Sequence, residues 1–240
     1  SVVGGFFAKS VLEELGAKTE GSQFLDPDGA FPNHIPNPDN KEAMESIKKQ
    51  VLAVNADYGV IFDTDVDRAA VVTGSEELLN RNNLIAVLSV IVISEHPGTT
   101  IVTNSPTTEH LKKFIMKLGE HQYRYISGYR NVINKAIELN NQGIDCQLAI
   151  ETSGHAAFKE NYFLDDGAYV VAKILMLLPR LVAKGETLDS LIKKLVQPKE
   201  VVEVRFKIET EDFKAKGLEV IKEFPDLIPK DWVVNPENEE

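Results

Sequence analysis

Short apolar runs alternate with longer mixed runs along the chain, and glycine, proline or a polar cluster closes most of them. Helices are predicted over 6–15, 41–54, 82–95, 107–118, 131–139, 167–182 and 188–195, where apolar residues recur at helical spacing or fill runs too long for a strand. Strands are predicted over 58–62, 69–73, 100–103, 123–126 and 147–150, which are short and rich in β-branched or aromatic residues. Residues 2–4 read as a strand end, 26–40 as a long Pro- and Asn-rich loop, 201–208 as a β-rich run, and a further helix starts at Glu211. Asp39 or Asn40 is available to cap the helix at 41.

This alternation predicts the α/β class, as two consecutive three-layer α/β domains with mixed, largely parallel sheets. His96-Pro97-Gly98 is strong punctuation, so the domains are expected at 1–97 and 98–198, with 199–240 as a linker and the start of a further domain. In each half an apolar strand runs into a polar loop: Gly59–Phe62 into Asp63, and Gln147–Ile150 into Glu151. Ligands gather at the carboxyl ends of strands in open parallel sheets, so both loops are candidate sites.

The first loop is Asp63-Thr64-Asp65-Val66-Asp67-Arg68. In extended chain, residues i, i+2 and i+4 point the same way, so Asp63, Asp65 and Asp67 converge. Three adjacent anions raise one another's pKa unless a cation neutralises them, and hard oxygen ligands favour Mg²⁺ or Ca²⁺. Mg²⁺ with a phosphate oxygen completing its shell is the natural occupant, and Arg68 would contact the phosphate. An EF-hand is excluded, because its glycine and glutamate positions hold Arg68 and Gly74. A haloacid-dehalogenase-like phosphatase is the alternative, with Asp63 as nucleophile and Asp65 as proton donor, although a strand restarting at Ala69 leaves little room for a flap.

The second loop is Glu151-Thr152-Ser153-Gly154-His155. Glu151 and Ser153 on one side suit adjacent sugar hydroxyls, and His155 would carry a proton near neutral pH. Ser153 lacks the flanking glycine of a nucleophile elbow, which excludes that serine-hydrolase pattern. Downstream, Lys159 is a candidate phosphate or hydroxyl contact, and Asp165-Asp166-Gly167 reads as a helix cap.

Composition narrows the partners. The net charge of −11, without a concentrated basic patch, argues against nucleic acid. The longest apolar stretch, around 84–93, is too short to span a bilayer, and no signal peptide is visible. Cys146 is the single cysteine, expected as a packed thiol in a reducing, cytoplasmic setting.

Taken together and in this order, the two loops resemble those of the α-D-phosphohexomutases, the phosphoglucomutase/phosphomannomutase family. Asp63–Arg68 is similar to that family's Asp-Gly-Asp-x-Asp-Arg metal loop, with Thr64 in place of the glycine, and Glu151–His155 to its Glu-x-Ser-Gly-His sugar loop. Gly4-Gly5-Phe6, Phe31-Pro32, Asn37-Pro38, Phe158-Lys159-Glu160 and Asp165-Asp166-Gly167 also resemble family positions, so the likeness covers about 1–185 and the second and third of four domains. It implies reversible phosphoryl transfer between C1 and C6 of a hexose phosphate, through a hexose bisphosphate and a phosphoserine carried by another domain. It further implies Mg²⁺ held by Asp63, Asp65 and Asp67, Arg68 and His155 in the chemistry, and Glu151 and Ser153 on ring hydroxyls. Arg130, in Ser127-Gly128-Tyr129-Arg130, falls where the family carries a basic residue. No Ser-His-Asn loop is present and the chain starts at Ser1, so the expectation is an inactive fragment whose partners are the remaining N- and C-terminal domains. A non-catalytic sugar-phosphate binding module is the third alternative.

Overall fold

The computed structural model describes residues 4–202, 204 and 207–232. Its elements run α1 (Gly4–Glu14), α2 (Lys41–Val54), β1 (Tyr58–Phe62), β2 (Ala69–Thr73), β3 (Leu78–Leu79), α3 (Arg81–Glu95), β4 (Thr100–Asn104), α4 (Glu109–Lys117), β5 (His121–Tyr125), α5 (Tyr129–Asn141), β6 (Cys146–Ile150), β7 (Ala156–Phe158), a 3₁₀ turn (Lys159–Asn161), α6 (Gly167–Ala183), α7 (Leu188–Ile192) and α8 (Phe213–Leu227). The α/β class holds. Among the described residues, parallel pairing is confined to the second sheet, ordered β5-β4-β6-β7, where only β7 runs antiparallel; the first sheet, β1-β2-β3, is an antiparallel meander.

Local chemistry explains where the helices start. Asn40 caps α2 by accepting from the Ala43 N–H at 2.9 Å, Thr108 caps α4 through Leu111 N–H, and Asp166 caps α6 through Tyr169 N–H at 3.0 Å. Helix α3 has no polar face in its middle: Leu84, Ile85, Ala86, Val87, Leu88, Ile91 and Val92 are all buried. A helix apolar on all sides belongs inside a core. Accordingly α3 joins Val71 and Leu79 of the first sheet to Ile101, Leu148 and Ile150 of the second in one continuous cluster.

The predicted strand end at 2–4 lies outside the described residues except for Gly4, which begins α1. Of the β-rich run 201–208, residues 203, 205 and 206 lie outside the described set, and the described ones carry no strand. Val201, Val202 and Val204 are exposed, and α8 buries none of its side chains. Among the described residues no helix is long and apolar enough to cross a membrane. Cys146 is fully buried, and burial pushes its thiol up to about 12.

Candidate metal and sugar site

Both candidate loops are tips of antiparallel hairpins. Phe62 pairs with Ala69, so the first hairpin closes over 63–68 alone, leaving no room for a flap. Ile150 pairs with Ala156, so the second closes over 151–155, and Glu151 N–H donates to the His155 carbonyl at 2.9 Å. The tips meet: Arg68 and His155 form an isolated antiparallel bridge. Two glycines permit this approach. Gly154 has φ +100°, and a Cβ there would lie 3.1 Å from the Ala69 carbonyl oxygen. Gly167 donates to the Val66 carbonyl at 2.9 Å, and its Cβ would fall 2.8 Å from backbone atoms of Val66 and Arg68. Val66 itself sits at φ +69°, a strained conformation for a β-branched residue.

Asp63, Asp65 and Asp67 each offer a carboxylate oxygen, all within 4.8 Å of one another. Asp63 is buried and accepts from Arg68 twice, from Nε at 2.7 Å and from the backbone N–H at 3.2 Å. Burial acts against the Asp63 charge, yet hydrogen bonding with Asp67 and Arg68 outweighs it and holds the carboxyl below its usual range. Burial, and then the Asp63 carboxylate, push Asp67 up to about 6. Asp67 Oδ1 is buried without a hydrogen-bond partner. Three converging oxygens, one of them orphaned, fit a hard divalent cation such as Mg²⁺.

His155 Nδ1 lies 2.7 Å from Asp165 Oδ2 and 3.6 Å from Asp67 Oδ2. Burial opposes its charge, but the bond to Asp165 and the charges of Asp165 and Asp67 outweigh that and raise its pKa. The ring stacks on Tyr129 at 5.0 Å between centroids, and Arg130 lies over the other aromatic partner, 5.7 Å from the Tyr129 ring. Glu151 is buried; its Oε1 accepts from Gly128 N–H at 2.6 Å and its Oε2 from the Ser153 hydroxyl at 3.3 Å.

Thus Asp63, Asp65, Asp67, Arg68, Glu151, Ser153 and His155 are gathered at one place, with Arg130 beside them through Tyr129. Lys159 is not. Because β7 runs back antiparallel to β6, Lys159 emerges at the far end of the hairpin, where its Nζ pairs with Asp145 at 3.1 Å. In the sequence Asp165 reads as part of a helix cap in a stretch similar to family positions; Asp166 does the capping, and Asp165 holds His155 and the Ala156 N–H at 3.1 Å. Asn104 and Thr152, which bond to each other twice across the strand ends, carried no sequence signal at all.

Comparison with known proteins bears on what this site is. Residues 2–77 match the family model described as phosphoglucomutase/phosphomannomutase, alpha/beta/alpha domain II, and residues 80–198 match domain III of the same family. A phosphomannomutase/phosphoglucomutase of Pseudomonas syringae is 34% identical over 185 residues, covering 77% of this chain and 38% of the relative. A phosphoglucomutase of Neisseria gonorrhoeae is 29% identical over 197 residues, covering 82% of this chain and 42% of the relative. The crystal structure of a phosphoglucomutase/phosphomannomutase family protein from Burkholderia thailandensis superposes with a TM-score of 0.72 at 30% identity, over 82% of this chain and 41% of that one. The chain therefore spans about two fifths of the length of these relatives.

Proposed function

The chain belongs to the phosphoglucomutase/phosphomannomutase family, and we propose that it supplies the metal-binding and sugar-binding middle of a cytoplasmic phosphohexose mutase. The reaction is reversible phosphoryl transfer between C1 and C6 of a hexose phosphate, with a phosphoserine on another domain as donor and a hexose bisphosphate as intermediate. The observation that carries this reading is the bridge between Arg68 and His155, which sets the aspartate tip against the sugar tip.

Asp63, Asp65 and Asp67 would hold Mg²⁺. When bound, such an ion neutralises charge on a transferring phosphoryl group. Arg68 spends its Nε on Asp63, which aims the planar guanidinium and leaves its terminal nitrogens for phosphate oxygens. Glu151 and Ser153 present a carboxylate and a hydroxyl to ring hydroxyls, the carboxylate accepting and the serine doing either. His155 holds a proton at Nδ1 between Asp165 and Asp67, and Tyr129 fixes the plane of its ring. Arg130, exposed beyond Tyr129, suits the distal phosphate of the sugar.

The exposed apolar positions of α8, among them Leu218, Ile221 and Leu227, together with exposed Val201, Val202 and Val204, support residues 199–240 as a linker and the start of a further domain that would cover these faces. On this reading the isolated chain binds ligands without turning them over. Calorimetric titration with Mg²⁺ tests the metal half: binding is expected in the wild type and lost in Asp65→Ala. A Mg²⁺-dependent phosphatase activity of the isolated chain, abolished in Asp63→Asn, would overturn the mutase assignment.

A further inference from the structure

Three loops leave the carboxyl ends of neighbouring parallel strands, after Asn104 of β4, Tyr125 of β5 and Ile150 of β6. The regular β4–β6 ladder stops at the pair Thr103–Ile150. Beyond it, the Asn104 side chain takes over the role of the missing backbone pair. Its Oδ1 accepts from the Thr152 N–H at 3.0 Å, and its Nδ2 donates to the Thr152 hydroxyl at 3.0 Å. Asn104 is only 5% exposed, and its backbone carbonyl accepts from the Thr107 hydroxyl at 3.3 Å, which anchors the residue that carries the carboxamide. On the other flank, Glu151 Oε1 binds the Gly128 N–H at 2.6 Å. Thr152 lies between Glu151 and Ser153 in a turn closed by the Gly154 N–H on the Glu151 carbonyl at 3.1 Å, so clamping it fixes the backbone between its two neighbours.

We infer that Asn104 is a positioning residue, which sets Glu151 and Ser153 through its two-bond clamp on Thr152. The inference deepens the sugar-binding reading above and rests on it for the ligand. The clamp is directional: it holds the backbone of the loop and leaves the Glu151 and Ser153 side chains facing the site. A carboxamide is suited to this, since one group both accepts from an N–H and donates to a hydroxyl.

The test uses the full chain and amide NMR. The Gly128 N–H reports where the Glu151 carboxylate lies, with no ligand needed. In Asn104→Ala its hydrogen exchange is expected to speed up about tenfold, the scale of one or two net hydrogen bonds. Thr152→Val, which keeps the branched shape and loses only the hydroxyl, is expected to speed it by a smaller factor, and Thr152→Ser to restore the wild-type rate. Glucose 6-phosphate, titrated against the same variants, should bind about fivefold more weakly to Asn104→Ala. Its Mg²⁺ affinity should stay at the wild-type value, which a general loosening would not allow. Unchanged Gly128 exchange in Asn104→Ala, or a parallel fall in Mg²⁺ affinity, overturns the inference. If Asn104→Ala does not fold, Thr152→Val decides by the same readout. A wild type that takes up no glucose 6-phosphate overturns the sugar reading instead, while Gly128 exchange still decides the role of Asn104.

Discussion

Asp67 Oδ2 stands 3.6 Å from His155 Nδ1, so the hairpin tip over 63–68 and the hairpin tip over 151–155 share one patch of electrostatic field. The same carboxylate is pushed up to about 6 by burial and by Asp63. Under the proposed function, metal affinity, proton affinity and the joining of the hairpins would be linked at this one residue.

The pH dependence follows in sign. The folded pKa of Asp67 lies above the ordinary carboxyl value of 3.8, so its protonated form favours the fold. That contribution is complete below the lower value and is lost as pH rises through about 6. Above that, the ionised pair repels unless a cation is present. We expect Mg²⁺ to raise the melting temperature at pH 7.5 and to have little effect at pH 5, in thermal scans at fixed ionic strength. Asp67→Asn should stabilise the metal-free protein at pH 7.5, by about 1–2 kcal/mol after solvent screening, and abolish the Mg²⁺ response.

His155 is expected to titrate above the usual imidazole range, because Asp165 and Asp67 favour its charged form. Its stabilising contribution is full below about 6.5 and fades as pH rises through the raised folded value. Asp165→Asn should lower the midpoint of the His155 ring signals in an NMR titration. An unmoved midpoint would assign the raised value to Asp67 alone.

The two glycines at the hairpin contact should not tolerate a methyl group. At Gly167 the added Cβ meets backbone at 2.8 Å, so Gly167→Ala is expected to cost about 2–3 kcal/mol in urea unfolding. Gly154→Ala adds φ strain at +100° to a 3.1 Å approach and should cost about 1–3 kcal/mol. Gly98, at φ +89° with nothing near its Cβ, isolates the backbone term: Gly98→Ala should cost about 1 kcal/mol.

Lys173 is 3% exposed and bridges Glu95 at 2.5 Å and Glu160 at 2.8 Å, tying α6 to the end of α3 and to the 3₁₀ turn. Its two partners are more exposed than it is, so the cost of breaking the cluster is asymmetric. Lys173→Met leaves two hydratable carboxylates and should cost about 1–3 kcal/mol at pH 7, whereas Glu95→Gln/Glu160→Gln strands a buried ammonium and should cost about 3–5 kcal/mol. Both are read from denaturant midpoints.

Much of this was legible in the sequence where the signal was local. The runs 58–62 and 147–150 are apolar and stop at acidic residues, so the strand ends and both loops could be placed. Strands β3 and β7 have two and three residues, too short to show a period, and without β7 the direction of Lys159 could not be read. Lys173 sits in the apolar run of α6 with nothing to reveal that Glu95 and Glu160 would reach it. The Asn104–Thr152 clamp and the Tyr129–His155 stack join residues far apart in sequence, and no spacing rule announces them. Sequence period identifies surfaces; which surfaces meet is decided by packing.

One divalent ion, held by Asp63, Asp65 and Asp67, is expected to lie directly against the hairpin tip over 151–155. Paramagnetic broadening with Mn²⁺ in place of Mg²⁺ tests it most directly, since the effect falls steeply with distance from the ion. The amides of 63–68 should broaden first, together with Gly154 and His155 across the bridge, while Lys159 and Asp145 at the far end of that hairpin stay sharp. Broadening confined to 63–68, or centred on the Glu95, His96 and Glu160 cluster, would contradict the account.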